Sequence, residues 1–178
     1  MIVHRGTRIE NPEDILGVVG ARHVLAGDLG PAADLNTNPI TTPMTRPNDV
    51  IFLPEGAETG AVVDETGGHL LEAPLVAIEI DSHEEGLTPV LVAAWLNSEE
   101  TRSLATGSTL QRISLRHVTL PVFEPETAHL LTESVLAVQR DVASAQRLFD
   151  AASALRSQVL RGLTAGVVAT APAAQEPQ

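Results

Sequence analysis

The chain has 178 residues, enough for one domain with its own core plus an appendage, and its 43% hydrophobic content is that of a folded protein. It contains no cysteine, which excludes disulfides, thiolate nucleophiles and cysteine-based zinc sites, and no lysine, so all eleven basic residues are arginine. A formal net charge of -12 opposes any general attraction to polyanions, and three Phe with one Trp leave the core to aliphatic side chains.

Residues Met1 to Glu10 carry His4, Arg5 and Arg8 with no apolar run behind them, which is not the pattern of a signal peptide. No stretch approaches the about 20 apolar residues of a membrane span, so a soluble cytoplasmic protein is expected. The first segment, to Pro47, reads as a short strand at Ile2 and Val3. An exposed arm follows, with a helical turn from Pro12 that Asn11 would cap. Pro31, Pro39, Pro43 and Pro47, separated by Asn and Thr, are loop chemistry, and few regular elements are expected there. The run Asn36 to Ile40 lacks the second proline and the aromatic residue with which an amino-methyltransferase holds a flipped base, and it reads as a turn.

Asp49 to Leu53 has the pattern of a buried strand, Glu55-Gly56 that of a turn, and Ala61 to Val63 that of a second strand. Gly67-Gly68 is a further turn, and Leu75 to Ile80 a third strand. Strands closed by glycine turns predict a small, curved, mixed β-sheet. Thr88 and Pro89 form a cap and first position for a helix through Trp95 and Leu96 to about Ala105, ended by Gly107. Ile113 to Leu115 and Val118 to Val122 return to extended structure.

Between Pro125 and Leu163 there is no interruption before Gly162, and Leu131, Val135, Val138, Val142, Ala145, Phe149 and Ala152 recur at spacings of four and three. This is the seam of a coiled coil, on a helix of roughly 55 Å at a rise of ~1.5 Å per residue. The next position in register is Arg156, and the apolar set shifts there to Leu155, Val159 and Leu163. Ala145 and Ala152 let a partner helix approach closely. The plainer alternative is a long helix folded back on its own domain. Residues 164–178, rich in Ala, Pro and Gln, have the composition of a disordered tail. The expected organisation is an α+β domain over 1–124 with short helices, a dimerisation or spacer helix over 125–163, and the tail.

Charge is unevenly placed. From Asn48 to Glu100 there are twelve acids and no Lys or Arg, whereas Thr101 to Phe123 holds Arg102, Arg112 and Arg116 and no acid. That second stretch is the candidate for meeting a polyanion. No catalytic constellation stands out. The six histidines lack paired metal spacing, Asp81 to Glu85 reads as a solvated loop, and there is no nucleophile elbow, phosphate-binding loop or dinucleotide fingerprint. A non-enzymatic protein without metal or cofactor is expected.

Three consecutive runs, Ala93 to Arg102, Gly107 to Ser114 and Leu115 to Val122, together resemble the target-recognition domain of DNA specificity subunits of Type I restriction–modification systems. The resemblance rests on a helix ending in Leu96-Asn97-Ser98 with Arg102 beyond, a Gly107-Ser108 turn, a short strand, and a proline-containing segment before a long helix. Asn48 to Phe52 is similar to the family's Gly-Asp strand, with Asn in place of Gly, and Glu58 to Val63 to its glycine turn and strand. It covers roughly residues 45–163. It implies a non-catalytic subunit that reads double-stranded DNA and docks a DNA adenine methyltransferase subunit through its helix, in complexes that also hold a restriction/translocase subunit. Family members carry two recognition domains and two pairing helices, whereas this chain has one of each, which implies a homodimer through the helix or, as the alternative, pairing of the helix with another subunit. Under that resemblance Arg102, Arg112 and Arg116 are phosphate or guanine contacts, Gln111 an adenine contact, and Ser108 and Thr109 phosphate contacts. The charge suggests an alternative: an acidic assembly or regulatory module, derived from such a subunit, that does not bind DNA.

Overall fold

The strand Asp49–Leu53 is buried at every residue, and its unbroken apolar run is explained by cover on both faces. The computed structural model describes residues 2–9, 15–33, 44–81, 86–107 and 110–164. In chain order its elements are β1 (Ile2–Arg5), β2 (Val18–Val19), α1 (Ala21–Ala26), β3 (Asp49–Leu53), β4 (Glu55–Gly56) and β5 (Gly60–Asp64). They continue with β6 (Leu70–Leu71), β7 (Val76–Glu79), α2 (Pro89–Leu96), α3 (Glu99–Ser103), β8 (Gln111–Arg112), a 3-10 turn at Leu115–His117, and α4 (Pro125–Thr164). The architecture is α+β, with a small sheet and a long C-terminal helix. The chain divides into two units, Met1–Val135 and Leu136–Gln178.

In the first unit the sheet order is β1-β7-β3-β5, and every pair in it is antiparallel. The one parallel pairing among named strands, β2 with β6, is a separate two-residue ladder, so the four-stranded sheet is not the mixed sheet expected from sequence. Alternation along β3 divides the core. Val50 and Phe52 join Ile78, Val92, Ala93, Leu96 and Ile113 on the α2 side, while Ile51 and Leu53 join Val19, Val24, Leu71, Leu75 and Ala77 on the α1 side.

Several expectations are corrected. The segment before Pro47 is no simple exposed arm: β2 and α1 bury Val18, Val19 and Val24. Glu55-Gly56 is no free turn but pairs antiparallel with Gln111-Arg112. The helix from Pro89 does not run on to Ala105. It stops at Leu96, and Ser98 caps a second helix by accepting from the Thr101 N–H at 3.2 Å. Asn97 and Ser98 both favour caps over helix interiors, and together they outweigh the helical tendency of their neighbours. Leu115 lies in the 3-10 turn rather than in extended chain, and 118–122 forms no strand. The turn at Asn11-Pro12, the run Asn36–Ile40, the loop acids from 82 to 85, Ser108, Thr109 and the tail beyond Thr164 lie outside the described residues.

The start of α4 belongs to the first unit. Glu124 supplies the first helical acceptor, its carbonyl taking the Ala128 N–H at 2.9 Å, and Pro125 occupies the first position, where no N–H is needed. Ala128 is buried. A directional chain of hydrogen bonds follows. The Leu91 N–H donates to Thr88 Oγ1, Thr88 Oγ1 donates to Thr132 Oγ1 at 2.8 Å, and Thr132 Oγ1 donates to the Ala128 carbonyl. Since a carbonyl can only accept, the Thr132 proton points to Ala128 and the Thr88 proton must point to Thr132. The first turns of α4 are thereby tied to the cap of α2.

Two buried carboxylates sit at the ends of paired strands with opposite consequences. Asp64 is fully buried. Burial alone would raise its pKa, but hydrogen bonds from Thr45 Oγ1 (2.6 Å), His69 Nδ1 (2.8 Å) and the Gly67 N–H (2.8 Å) outweigh that and hold it below the ordinary carboxylate value. Asp49 is pushed up, chiefly by burial, against one hydrogen bond from the Arg46 N–H. Asp64 therefore stabilises the fold above the ordinary aspartate pKa, and that contribution is lost as pH falls through its lowered folded value. Asp49 has the reverse sign. Asp64→Asn is expected to lower stability at pH 7 by about 3 kcal/mol and to flatten the acid limb. Asp49→Asn, which keeps the acceptor for Arg46, is expected to be neutral or stabilising at pH 7. Urea midpoints across acid and neutral pH check both.

Candidate functional site

Chain reversal after β3 builds the site. Pro54 follows Leu53, and its carbonyl accepts the Ile113 N–H at 2.7 Å, which sets β8 beside β4. Ile113 is buried in the core, so the two-residue ribbon is anchored at its base while Gln111 and Arg112 stay exposed. Thr106 completes the ribbon: its N–H donates to the Arg112 carbonyl, and the Arg112 N–H donates back to the Thr106 carbonyl.

Neighbouring residues of a strand face opposite ways, and here that parts the residues expected to act together. Gln111 lines an open cleft of about 630 Å³ with Arg102, Asn97, Thr59 and Gly27. Arg112 lines a second cleft of about 730 Å³ with Arg116, Glu55 and Pro54. The sequence-derived set is thus divided in two, Arg102 and Gln111 on one cleft and Arg112 and Arg116 on the other. Arg112 Nε lies 3.5 Å from Glu55, so this arginine balances a local acid. Among the described residues Arg102 and Arg116 have no acidic partner.

One residue of the second cleft escaped the sequence analysis. Arg5, at the end of β1, lines it too. Its partners lie more than a hundred positions along the chain, and only the pairing of β1 with β7 brings it there.

The residues that carry the family resemblance have structural work. Leu96 is buried beneath β3. Asn97 accepts the Ala61 N–H at Oδ1 and donates from Nδ2 to the Ala61 carbonyl, both at 2.8 Å. Ala61 is on β5, an edge strand of the sheet, and the side-chain amide supplies one rung of a missing neighbour. Asn48, where the resemblance has Gly, has φ 71° and follows Pro47 in a turn closed by the Asp49 N–H on the Arg46 carbonyl. That position favours Gly and tolerates Asn, so the substitution keeps the turn.

The residues expected on the helix seam divide at the unit boundary. In the first unit Leu131 is exposed and Val135 is half-buried. In the second, Val138, Val142, Ala145, Phe149 and Ala152 are all exposed, Val142 to 63% and Phe149 to 66%. Among the described residues no group of three or more His, Asp or Glu is gathered to hold a metal ion, and no helix is long and apolar enough to cross a membrane.

Asn97→Ala is expected to cost about 2 kcal/mol, two hydrogen bonds of about 1 kcal/mol each, and Asn97→Asp nearly as much, since a carboxylate cannot donate to the Ala61 carbonyl. Chemical denaturation, with hydrogen exchange at the Ala61 amide, measures both.

The chain matches no protein-family model and no curated protein.

Proposed function

We propose that this chain is the DNA recognition subunit, or a recognition half of it, of a Type I restriction–modification system or a related methyltransferase complex. The first unit reads a half-site in double-stranded DNA. The helix α4 pairs with that of a second copy as a coiled coil and docks a DNA adenine methyltransferase subunit. The protein catalyses nothing itself; methyl transfer, and any cleavage by a restriction/translocase subunit, belong to its partners.

The observation that carries this reading is that an acid-free stretch, Thr101–Phe123, presents Arg102, Gln111, Arg112 and Arg116 exposed along two clefts of a protein of net charge -12. An arginine fork suits guanine or phosphate, and a primary amide suits adenine. The order of motifs over residues 45–163 supports it, as does the exposed apolar stripe of α4, which in water favours burial against another helix.

The net charge favours a second reading, a module that joins the methyltransferase through α4 without touching DNA. Salt separates the two. Under the first reading, affinity for random-sequence duplex falls steeply as salt rises, measured by fluorescence anisotropy with and without the methyltransferase. Absence of binding in both conditions supports the assembly module.

Dimerisation is tested on the second unit, because removing everything from Pro125 onward would strip from the first the buried Ala128 and the half-buried Thr132 that bonds Thr88. Val142→Glu combined with Phe149→Glu is expected to leave the melting temperature of the first unit unchanged and to reduce the mass in sedimentation equilibrium from dimer to monomer. An unchanged mass would remove the coiled-coil pairing.

A further inference from the structure

The second cleft holds three arginines against one acid. Glu55 is engaged by Arg112, and among the described residues neither Arg5 nor Arg116 has an ion-pair partner. We infer that Arg5 is a phosphate-contacting residue, acting with Arg112 and Arg116 on the backbone of duplex DNA, while Arg102 and Gln111 across the ribbon meet base edges. This rests on the DNA-binding reading above and adds a residue and a division of labour to it.

The chemistry of the lining supports the assignment. Arg5, Arg112 and Arg116 carry permanent charges, and each guanidinium presents paired donors to phosphate oxygens. The cleft is walled by Val3, Pro54 and Leu75, and low-dielectric walls around like charges concentrate the field in the opening. Among the residues that line the cleft Glu55 is the one acid, and Arg112 engages it. Arg5 is rooted firmly. It pairs with Val76 in the sheet, and the next residue, Gly6, passes so near the backbone at the end of β6 that a Cβ would lie 2.8 Å from the carbonyl oxygens of Leu71 and Glu72. The arginine therefore leaves a fixed point of backbone, as positioning a phosphate requires.

The other cleft differs in kind. Gln111 is neutral and gains little from a phosphate, but its amide matches the paired donor and acceptor of adenine in the major groove. Arg102 gives that cleft one charge against three in the other, so the signatures differ in degree: the three-arginine cleft sets most of the salt dependence, and the Gln111 side sets the sequence preference.

The experiment uses the full-length chain and random-sequence duplex DNA, with affinity followed from about 50 to 200 mM salt. Arg5→Gln is expected to weaken all sequences alike and to reduce the slope of log affinity against log salt by about one unit. Arg5→Lys, which keeps the charge, restores the slope. Arg22→Gln, at an exposed residue of α1 that lines neither cleft, leaves it as in the parent protein. Gln111→Ala keeps the slope and changes the ranking of sequences in a selection from a random library. Melting temperatures distinguish lost contacts from lost fold, and recovery by lysine assigns the effect to charge. A parental slope in Arg5→Gln alongside a flattened slope in Arg112→Gln overturns the role of Arg5 and leaves the DNA-binding reading standing. Salt-independent or absent binding by the parent protein overturns both.

Discussion

Burial of β3 on both faces is the constraint from which the first unit follows. A five-residue strand without a solvent face needs cover on each side, and α2 and α1 supply it through the two sets of side chains that alternate along the strand. Cover at the faces leaves the sheet exposed at its edges, where β5 takes the amide of Asn97 and β1 is left with its outer side unpaired within the sheet. The same constraint ends the strand. Pro54 has no N–H to offer a ladder, and the chain turns out of the sheet into β4. The β4–β8 ribbon is the first part of this path free of the core, and Gln111 and Arg112 are exposed on it because nothing there needs to be apolar.

Legibility in the sequence tracked how local the determining interactions are. Residues Asp49–Leu53 announce themselves by an apolar run, the start of α2 by a Thr-Pro cap, and α4 by an apolar period sustained over many turns. The break between α2 and α3 at Asn97-Ser98 is a local signal that a single-helix reading overlooks, whereas the missed strands depend on partners far along the chain. Val18-Val19 is too short to show a period, and it is a strand because Leu70-Leu71 lies beside it. Glu55-Gly56 has turn chemistry and becomes a strand only through Gln111-Arg112. The site followed the same rule. Gln111 and the three arginines between 102 and 116 could be picked out from an acid-free stretch, but not their separation onto two clefts, which needs the direction of β8, nor Arg5, which needs the sheet order.

Net charge is a poor guide to what this surface meets, because several of the acids are engaged. Asp49 and Asp64 are buried and hold turns and strand ends through hydrogen bonds. Glu79 pairs with Arg46 and lies 3.6 Å from His4 Nε2. Glu99 and Glu100 occupy the first turn of α3, where the helix dipole favours a negative charge. Such acids count fully in the sum of -12, yet their fields are partly answered where they stand. The cleft that holds Arg5 and Arg116 has one acid, already paired. Repulsion at long range would slow the approach of DNA without setting the affinity of a contact made inside that cleft.

The second unit poses the opposite problem, an excess of apolar surface. Leu148, Phe149, Leu155, Val159, Leu160 and Leu163 are exposed, and local side-chain pairs such as Gln146 with Asp150 contribute only tenths of a kcal/mol to a helix. A helix of this length with such a stripe gains most of its stability from what covers it. Under the proposed pairing, Arg156 then has a specific consequence. At a seam position a charged residue costs stability in every register, but least in the one that lets its guanidinium reach solvent or an acid, so it selects among alignments that an all-apolar stripe would leave nearly equal. The rotation of the stripe to Leu155, Val159 and Leu163 beyond it carries the apolar contact past the arginine instead of ending there. A spacer that sets the distance between two reading units needs one register and not several, and a single arginine in an otherwise apolar seam is a means of fixing it.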